Sequence, residues 1–569
     1  MNPILDQPQT IDTEQLPADL GYRLANQDLV FYADAATDLV DLAWPWADET
    51  YVRYVQLRIV ALREEGLVAL VTRFYPGYQE VILGNEGMIV SKRLCALLNS
   101  PYDRSVLWVL ECQAEGDRLL RLEIDIEWAQ PLTQRIVDGL LVAQRNPQPA
   151  RGIYAQSNAE STCVFGNPYG RPDGVEIDDP RRARLVYHVL VNGVVEVPLL
   201  LTVSDVGEQM AWNGFLALRD TERAFELSVR AWDELLKTAR LWTPDVRYNQ
   251  AVQMGKAETV RRVQRLRTGF APSDRDVRHL PALVESLDAI DATQSRNLLA
   301  HARRLAERTG GRLPLAFPLR TQDPPVDPGA ALVETNAAYL MALSDHLRHH
   351  FDASLLNEHY AAVRACADAL IQHRWQHLSE SDGATLATIS VTLRRALGLA
   401  MQHHDSINMV RWESEACEME RQFATPAQPL TTPPFDAEAA LRWSTWQTPA
   451  EHPWHFADPW QGVVLAGQAI WRGCGVSQER PLLMVYPTWP ADWTWWALID
   501  LPIKEGKLSL LWDGKTLHTT RPLQSHLPTQ VVQEITALKT EEYDFDLQFE
   551  IKSEIEGRAE RHLFRPHFH

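Results

Sequence analysis

The chain has 569 residues, 45% of them hydrophobic, and 75 acidic against 55 basic side chains leave a net charge of −20. That length exceeds what one hydrophobic core usually supports, so two to four domains are expected. The negative balance disfavours nucleic acid as a partner, because phosphate binding needs a basic surface that releases counterions.

The opening stretch MNPILDQPQTIDTEQLPADL holds acids and prolines where a secretory signal would need a basic start and an apolar run. Residues 1–20 therefore read as a flexible leader. No stretch approaches ~18 uninterrupted apolar residues, so no membrane span is expected. The six cysteines (Cys95, Cys112, Cys163, Cys366, Cys417, Cys474) are scattered without a CxxC pair. Such usage fits a reducing, cytoplasmic compartment and provides no metal site.

Residues 21–230 are a series of short runs rich in Val, Ile, Leu, Tyr and Phe. In LRLEIDIEW apolar and acidic residues alternate with period two, the pattern of a strand with one wet face. Turn pairs such as Gly84-Asn85, Asp138-Gly139 and Asn192-Gly193 separate the runs. Ten to fifteen strands in two stacked antiparallel sheets, a β-sandwich, are expected.

The period then changes to three and four residues. AFELSVRAWDELLKTARLW predicts a linker helix over 231–246, and Thr243-Pro244-Asp245 restarts a helix. Helices are predicted at 247–266, 278–290, 293–309, 333–350, 354–377, 384–402 and 405–423, and QGVVLAGQAIW adds one more. Short Gly- and Pro-containing connections argue for antiparallel hairpins through 247–475. The polar, proline-rich TPAQPLTTPPFD reads as a long surface crossing. From 476 to 569 the strand-like runs LLMVYP, WWALIDLP, KLSLLWDG and DFDLQFEIKSE make a small β domain.

Three segments carry a family resemblance: RNLLAHARRLAERTGGRLP, ETNAAYLMALSDHLRHH and the tail LLMVYPTWPADWTWWALIDLPIKEGKLSLLWDGK. With the order of domains over residues 22–569, they resemble the six-hairpin glycosidase superfamily of glucoamylase-like and glycogen-debranching-like enzymes. The resemblance implies an N-terminal β-sandwich (supersandwich), a central α/α hairpin toroid and a small C-terminal β domain. It further implies a glycoside hydrolase acting on an α-glucan or related oligosaccharide, with carbohydrate as partner and no cofactor. Counting gives seven to nine helices between Asp245 and Trp471 where a full toroid needs about twelve, so an incomplete ring is expected. A non-catalytic carbohydrate-binding or scaffold protein, or a self-associating homo-oligomer, stands as the alternative on the same fold.

Inverting hydrolysis needs two carboxyl groups ~6.5–9.5 Å apart, one a proton donor and one a base that activates water. In the family pattern the acid lies in the loop HLSESDGATL, which implicates Asp382. The same residue also reads as a cap for the following helix. The base falls in EHPWHFADPWQG, where Asp458 stands beside Trp454 and Trp460; an N-cap role is the plainer reading. Glu334 in VETNAAYL is a third carboxylate, or a first-turn acid facing the helix dipole. The stretch FAPSDRDVRHLPALVES supplies Asp274, Arg275 and Asp276 but no aromatic platform, which argues against binding there.

Ten of the nineteen tryptophans fall between Trp443 and Trp512. Trp489 and Trp493 in TWPADWTWW are either a sugar-gripping surface, together with Trp454 and Trp460, or a packing seam between domains. The pairs His349-His350 and His403-His404 read as solvated, since neighbouring helical residues diverge by ~100° and do not share one ion. RRVQRLR reads as a solvated basic helix face. No P-loop, GxSxG or HExxH occurs.

Overall fold

The computed structural model describes residues 9–16, 21–44, 49–62, 66–98, 104–145, 161–205, 207–320, 323–325, 329–376, 383–422, 459–479, 482–490, 492–504, 506–539, 547–555 and 558–566. The chain divides into two compact units, 2–234 and 235–569.

In the first unit, fourteen strands join one antiparallel hydrogen-bonded network. The strands that matter below are β1 (Leu39–Trp44), β2 (Glu49–Ala61), β3 (Met88–Ala96), β4 (Ser105–Trp128) and β5 (Arg182–Ser204). The 24-residue β4 and 23-residue β5 form a ribbon paired along both halves. On its other edge β4 pairs first with β3 and then, past Gly116, with β2. Two strand sets therefore share one ribbon, where the sequence led us to expect two separate sheets. Side chains cross between the sets: Tyr51 Oη donates to the Ala143 carbonyl (3.2 Å), and Gln79 Nε2 to the Asp34 carbonyl (2.6 Å). Buried Lys92 pairs with Asp38 and also donates to the Ala36 carbonyl at 2.9 Å.

Burial along β4 follows the sequence pattern. From Leu120 to Trp128 every second residue is buried, as the alternation of LRLEIDIEW requires. Its first half, SVLWVL, is buried at every position, as expected of a strand covered on both faces. Helices α1 (Glu208–Ala217) and α2 (Thr221–Lys237) supply Ala211, Phe215 and Ala224 to that second cover. The turn at Asp138-Gly139 forms as expected, with φ of 53° and 85°. Asn192-Gly193 does not make a hairpin: β5 runs through it with a register slip at Val191/Gly193.

The second unit holds α3 (Val246–Arg261), α4 (Leu280–Asp288), α5 (Ala292–Arg308), α6 (Leu332–His349), α7 (Ala353–Gln376), α8 (Gly383–His403), α9 (Ser406–Gln422) and α10 (Pro459–Gly467). The first helix ends earlier than its sequence implies. Val263–Leu266 turns into a hairpin with Gly269–Pro272, and Arg261 is buried against Glu258 (3.4 Å), so RRVQRLR is not a solvated helix face.

Successive helices alternate in direction, and every second helix runs parallel. Arg296–Asp352 (3.1 Å) and Arg303 to the Glu358 carbonyl (3.2 Å) align α5 with α7. Tyr360–Asp405 (2.9 Å), Asp368–Arg411 (2.9 Å) and Arg374–Glu415 (2.5 Å) align α7 with α9. Helix α6 lies between α4 and α8, while α10 packs on α3 and α4. Thus α4, α6, α8 and α10 begin at the same end, where α3, α5, α7 and α9 finish. One large apolar core, from Val263 to Val463, fills this array. At the α3–α10 contact a Cβ on Gly255 would lie 2.2 Å from the Gly462 carbonyl oxygen, so the absence of a side chain sets that approach.

The C-terminal strands belong to the same unit. Arg240–Trp242, preceding α3, pairs with Trp496–Ile503 and extends it into a five-stranded sheet. Among the described residues no helix is long and apolar enough to cross a membrane.

Two histidines inside the helical array give it an expected acid sensitivity. Burial pushes His301 down to about 4 and His359 down to about 3, with nearby arginine charges adding to the shift. Below the ordinary imidazole value of about 6.5 the unfolded chain takes up protons that the folded chain refuses until pH 4 or lower. Stability should therefore fall by several kcal/mol as pH drops from about 6.5 to 4, before most carboxylates titrate. Urea midpoints across that window would check it, and a flat profile would contradict it.

Candidate functional site

At the end where the four parallel helices begin, residues distant in sequence converge. The segment from Asp274 to His279 connects the Gly269–Pro272 strand to α4. Asp274 Oδ1 accepts from the Asp276 amide (3.0 Å), and Asp276 accepts from the Arg278 amide (2.8 Å), which folds the segment tightly. Trp460, in the first turn of α10, donates its indole N–H to Asp274 Oδ2 at 3.1 Å. His279 lies flat on the Trp460 ring, centroids 4.1 Å apart and planes at 20°, with its Nδ1 2.7 Å from the same Asp274 oxygen. The Arg262 guanidinium stands 5.7 Å from the Trp460 centroid. Arg278 forks onto Asp276 (3.0 and 2.6 Å) and reaches Glu334 Oε2 at 3.2 Å.

The electrostatics follow from these contacts. Burial alone would raise the Asp274 carboxyl, but His279, the Asp276 amide and the Trp460 indole hold it below its usual range. Hydrogen bonds to Asp276, then to Glu334, keep Arg278 charged more firmly than a free arginine. The result is one ionised carboxylate, Asp274, bonded to the indole, and an Asp276–Arg278–Glu334 ion-pair chain that begins two residues further along. Together they can bind a polyhydroxylated or charged ligand through fixed donors and acceptors.

Of the candidate site residues from sequence, this cluster contains Glu334 and Trp460, joined by Asp274 and Asp276 of the stretch read as unsuited to binding. Glu334 stands exposed in the first turn of α6, paired with Arg278. Asp382, Asp458 and Trp454 lie outside the described residues. Helix α8 starts at Gly383, immediately after Asp382, and Trp460 follows Asp458 by two positions. Trp489 and Trp493 lie elsewhere, stacked on each other at 5.1 Å and set edge-on against Tyr248. Trp493 is 9% exposed within the core shared by α3, α10 and the C-terminal strands, and Trp489 covers Gly473.

The stretch around Asp274 carries no aromatic platform of its own. That aromatic comes from 186 residues further along the chain, so no local motif could reveal it.

At the opposite end, His349 and His350 prove buried, not solvated. Asp288 closes α4 and accepts from His346 Nδ1 (2.6 Å) and His349 Nδ1 (2.9 Å), while its backbone carbonyl accepts from His350 Nε2 (2.8 Å). His349 stacks on Trp471 at 3.9 Å. Beside it, buried Glu285 pairs with Arg472 at 2.7 Å. His403 likewise stacks on Tyr360 at 3.7 Å. The i, i+3, i+4 spacing of His346, His349 and His350 is the sequence signal for a shared helix face. Among the described residues no group of three or more His, Cys, Asp or Glu is placed to hold a metal ion.

No protein-family model matches the sequence, and no curated protein does either. The fold, in contrast, is similar to that of a solved structure over nearly the whole chain. A putative kojibiose phosphorylase from the human microbiome superposes with a TM-score of 0.59 at 7% identity, covering 98% of both chains. A GH92-family glycosyl hydrolase (TM-score 0.38, 12% identity, 71% of this chain and 63% of that one) and a GH78-family rhamnosidase of a Bacillus species (0.38, 10%, 78% and 54%) are more distant. The match to the first defines a multidomain glycosidase-like architecture: an antiparallel sheet unit, a helical middle and small C-terminal sheets.

Proposed function

We propose that the protein is a carbohydrate-active enzyme of the six-hairpin glycosidase type, acting on an α-glucan or related oligosaccharide where α4, α6, α8 and α10 begin. The observation that carries this reading is the convergence of Trp460, Asp274, His279, Arg278 and Glu334 at that end. An indole ring bonded to a fixed carboxylate and faced by a guanidinium, next to the Asp276–Arg278–Glu334 chain, is suited to hold a sugar by its hydroxyl groups. The end-to-end likeness to a putative kojibiose phosphorylase supports the substrate class.

In this reading Asp382 and Asp458 are the carboxyl pair, one protonating the leaving oxygen and the other activating water on the opposite face of the sugar. Glu334 is then a positioning residue, since Arg278 already occupies one of its oxygens. The contacts on Trp460 from His279 and Arg262 favour a second reading, a protein that binds carbohydrate without turnover, because a ring already stacked offers less surface to a sugar.

The two are separated by incubating the protein with maltose, kojibiose and maltooligosaccharides, with and without inorganic phosphate, and following the products. Free sugar released without phosphate supports the hydrolase. A sugar phosphate formed only with phosphate would keep the site and replace water as the attacking group. Binding in calorimetry without any product would establish the non-catalytic alternative.

A further inference from the structure

The first unit contains a groove of about 500 Å³ lined by Val40, Asp41, Arg53, Tyr54 and Glu127, within the roughly 300–1,000 Å³ of small-ligand sites. Its walls are built by two backbone irregularities that face each other. The β1–β2 ladder pairs Val40 with Tyr54 and Leu42 with Val52, which sets Asp41 opposite Arg53. Arg53 is also the residue skipped where β2 pairs β4, between Val52 and Tyr54. Asp41 holds φ at 50°, in the left-handed region that a residue with a Cβ rarely adopts. Bulges re-aim side chains, and strain of this kind persists where the surrounding fold imposes it.

The floor is fixed from behind. Tyr54 Oη points inward, 3.3 Å from Asp38 Oδ2 and 3.4 Å from Asp34 Oδ2, and Asp38 is locked by the Leu57 amide (2.9 Å) and by Lys92. With the hydroxyl engaged, the ring and Val40 are what the groove presents. Around them stand one donor, Arg53, and two carboxylates, Asp41 and Glu127. Arg53 and Glu127 are loosely paired at 3.7 Å, with 67% and 35% of their side chains exposed, and the second Glu127 oxygen accepts from Arg182 at 3.4 Å.

We propose that this groove is a second ligand site, which takes one or two rings of a neutral saccharide. The Tyr54 ring supplies the apolar face, the carboxylates accept from hydroxyl groups, and Arg53 donates to them. With Glu127 between Arg53 and Arg182, the Asp41 carboxylate at the groove disfavours phosphorylated or uronic-acid ligands by like-charge repulsion. The site requires no turnover, so it stands or falls separately from the proposed enzyme activity.

The test is native affinity electrophoresis in gels holding soluble starch, dextran or galactomannan, with polygalacturonate as the anionic control. The wild type is expected to be retarded by at least one neutral polymer and not by polygalacturonate. Asp41→Gly should weaken that retardation at least tenfold while raising Tm, because glycine relieves the left-handed strain. Arg53→Ala, on a side chain 67% exposed, combined with Glu127→Gln, which keeps the volume and one acceptor oxygen, gives a second reading with the fold checked by an unchanged Tm. Asp458→Asn, a variant of the proposed active centre, should leave retardation intact. Absence of retardation by every neutral polymer, retardation by polygalacturonate, or undiminished retardation in the two groove variants would each overturn the proposal.

Discussion

Asp288→Ala is expected to destabilise the helical unit by about 3–5 kcal/mol, the usual consequence of removing one partner from a buried charge cluster. Asp288 and His346 are fully buried and His349 nearly so. Burial alone would raise the Asp288 carboxyl, yet His346, His349 and His350 hold it far below its ordinary value of 3.8. The alanine variant leaves two imidazoles without their acceptor and opens a void beneath the Trp471 stack. Asp288→Asn keeps the volume and one oxygen, and should lose roughly half as much. The sign with pH follows from the depressed carboxyl: its contribution is present above about pH 4 and is lost as pH falls through the folded value. Urea denaturation at pH 7, where the contribution is fully present, reads the cost of both substitutions. A variant within ~1 kcal/mol of wild type at pH 7 would show that the cluster contributes nothing to stability.

Adjacent glycines between α5 and α6 should respond very differently to the same change. Gly310 has φ of 61° and open space around its missing Cβ, so Gly310→Ala should cost about 1 kcal/mol for the left-handed backbone alone. Gly311 has φ of 84°, and a Cβ there would lie 2.1 Å from the Ala365 carbonyl oxygen in the middle of α7. No flexible side chain can yield, since the obstacle is helix backbone. The same spot is tied by Asn336, whose Nδ2 donates to the Gly311 carbonyl (2.7 Å) and to the Cys366 carbonyl (3.1 Å). Gly311→Ala should therefore cost about 3 kcal/mol or more, with partial separation of α6 from α7. Equal Tm values for the two variants would contradict the packing described.

The helices were legible in the sequence because their signals are local. Predicted spans such as 293–309 and 333–350 lie within one residue of α5 and α6, where apolar spacing and the Gly310-Gly311 stop act together. The strands of the first unit were legible as strands, through period-two alternation, but not their assembly. Nothing local distinguishes two separate sheets from a shared 24-residue ribbon, and Asn192-Gly193 serves a register slip as readily as a hairpin. The site was harder still. Glu334 and Trp460 were marked as candidates, whereas His279 and Asp274 acquire meaning only once α10 returns beside α3 and α4. The burial of the α6 histidines is hidden from the sequence for a related reason: their partner Asp288 lies 58 residues from His346.

The proposed chemistry is tested most directly by turnover of maltooligosaccharides or kojibiose by the wild type and by Asp382→Asn and Asp458→Asn, each checked for an unchanged Tm. A carboxyl pair that donates and accepts the proton predicts a loss of about 10²–10⁴-fold in kcat for each variant, with KM little altered. Turnover unchanged in both variants would contradict the assignment of the active centre to these carboxylates.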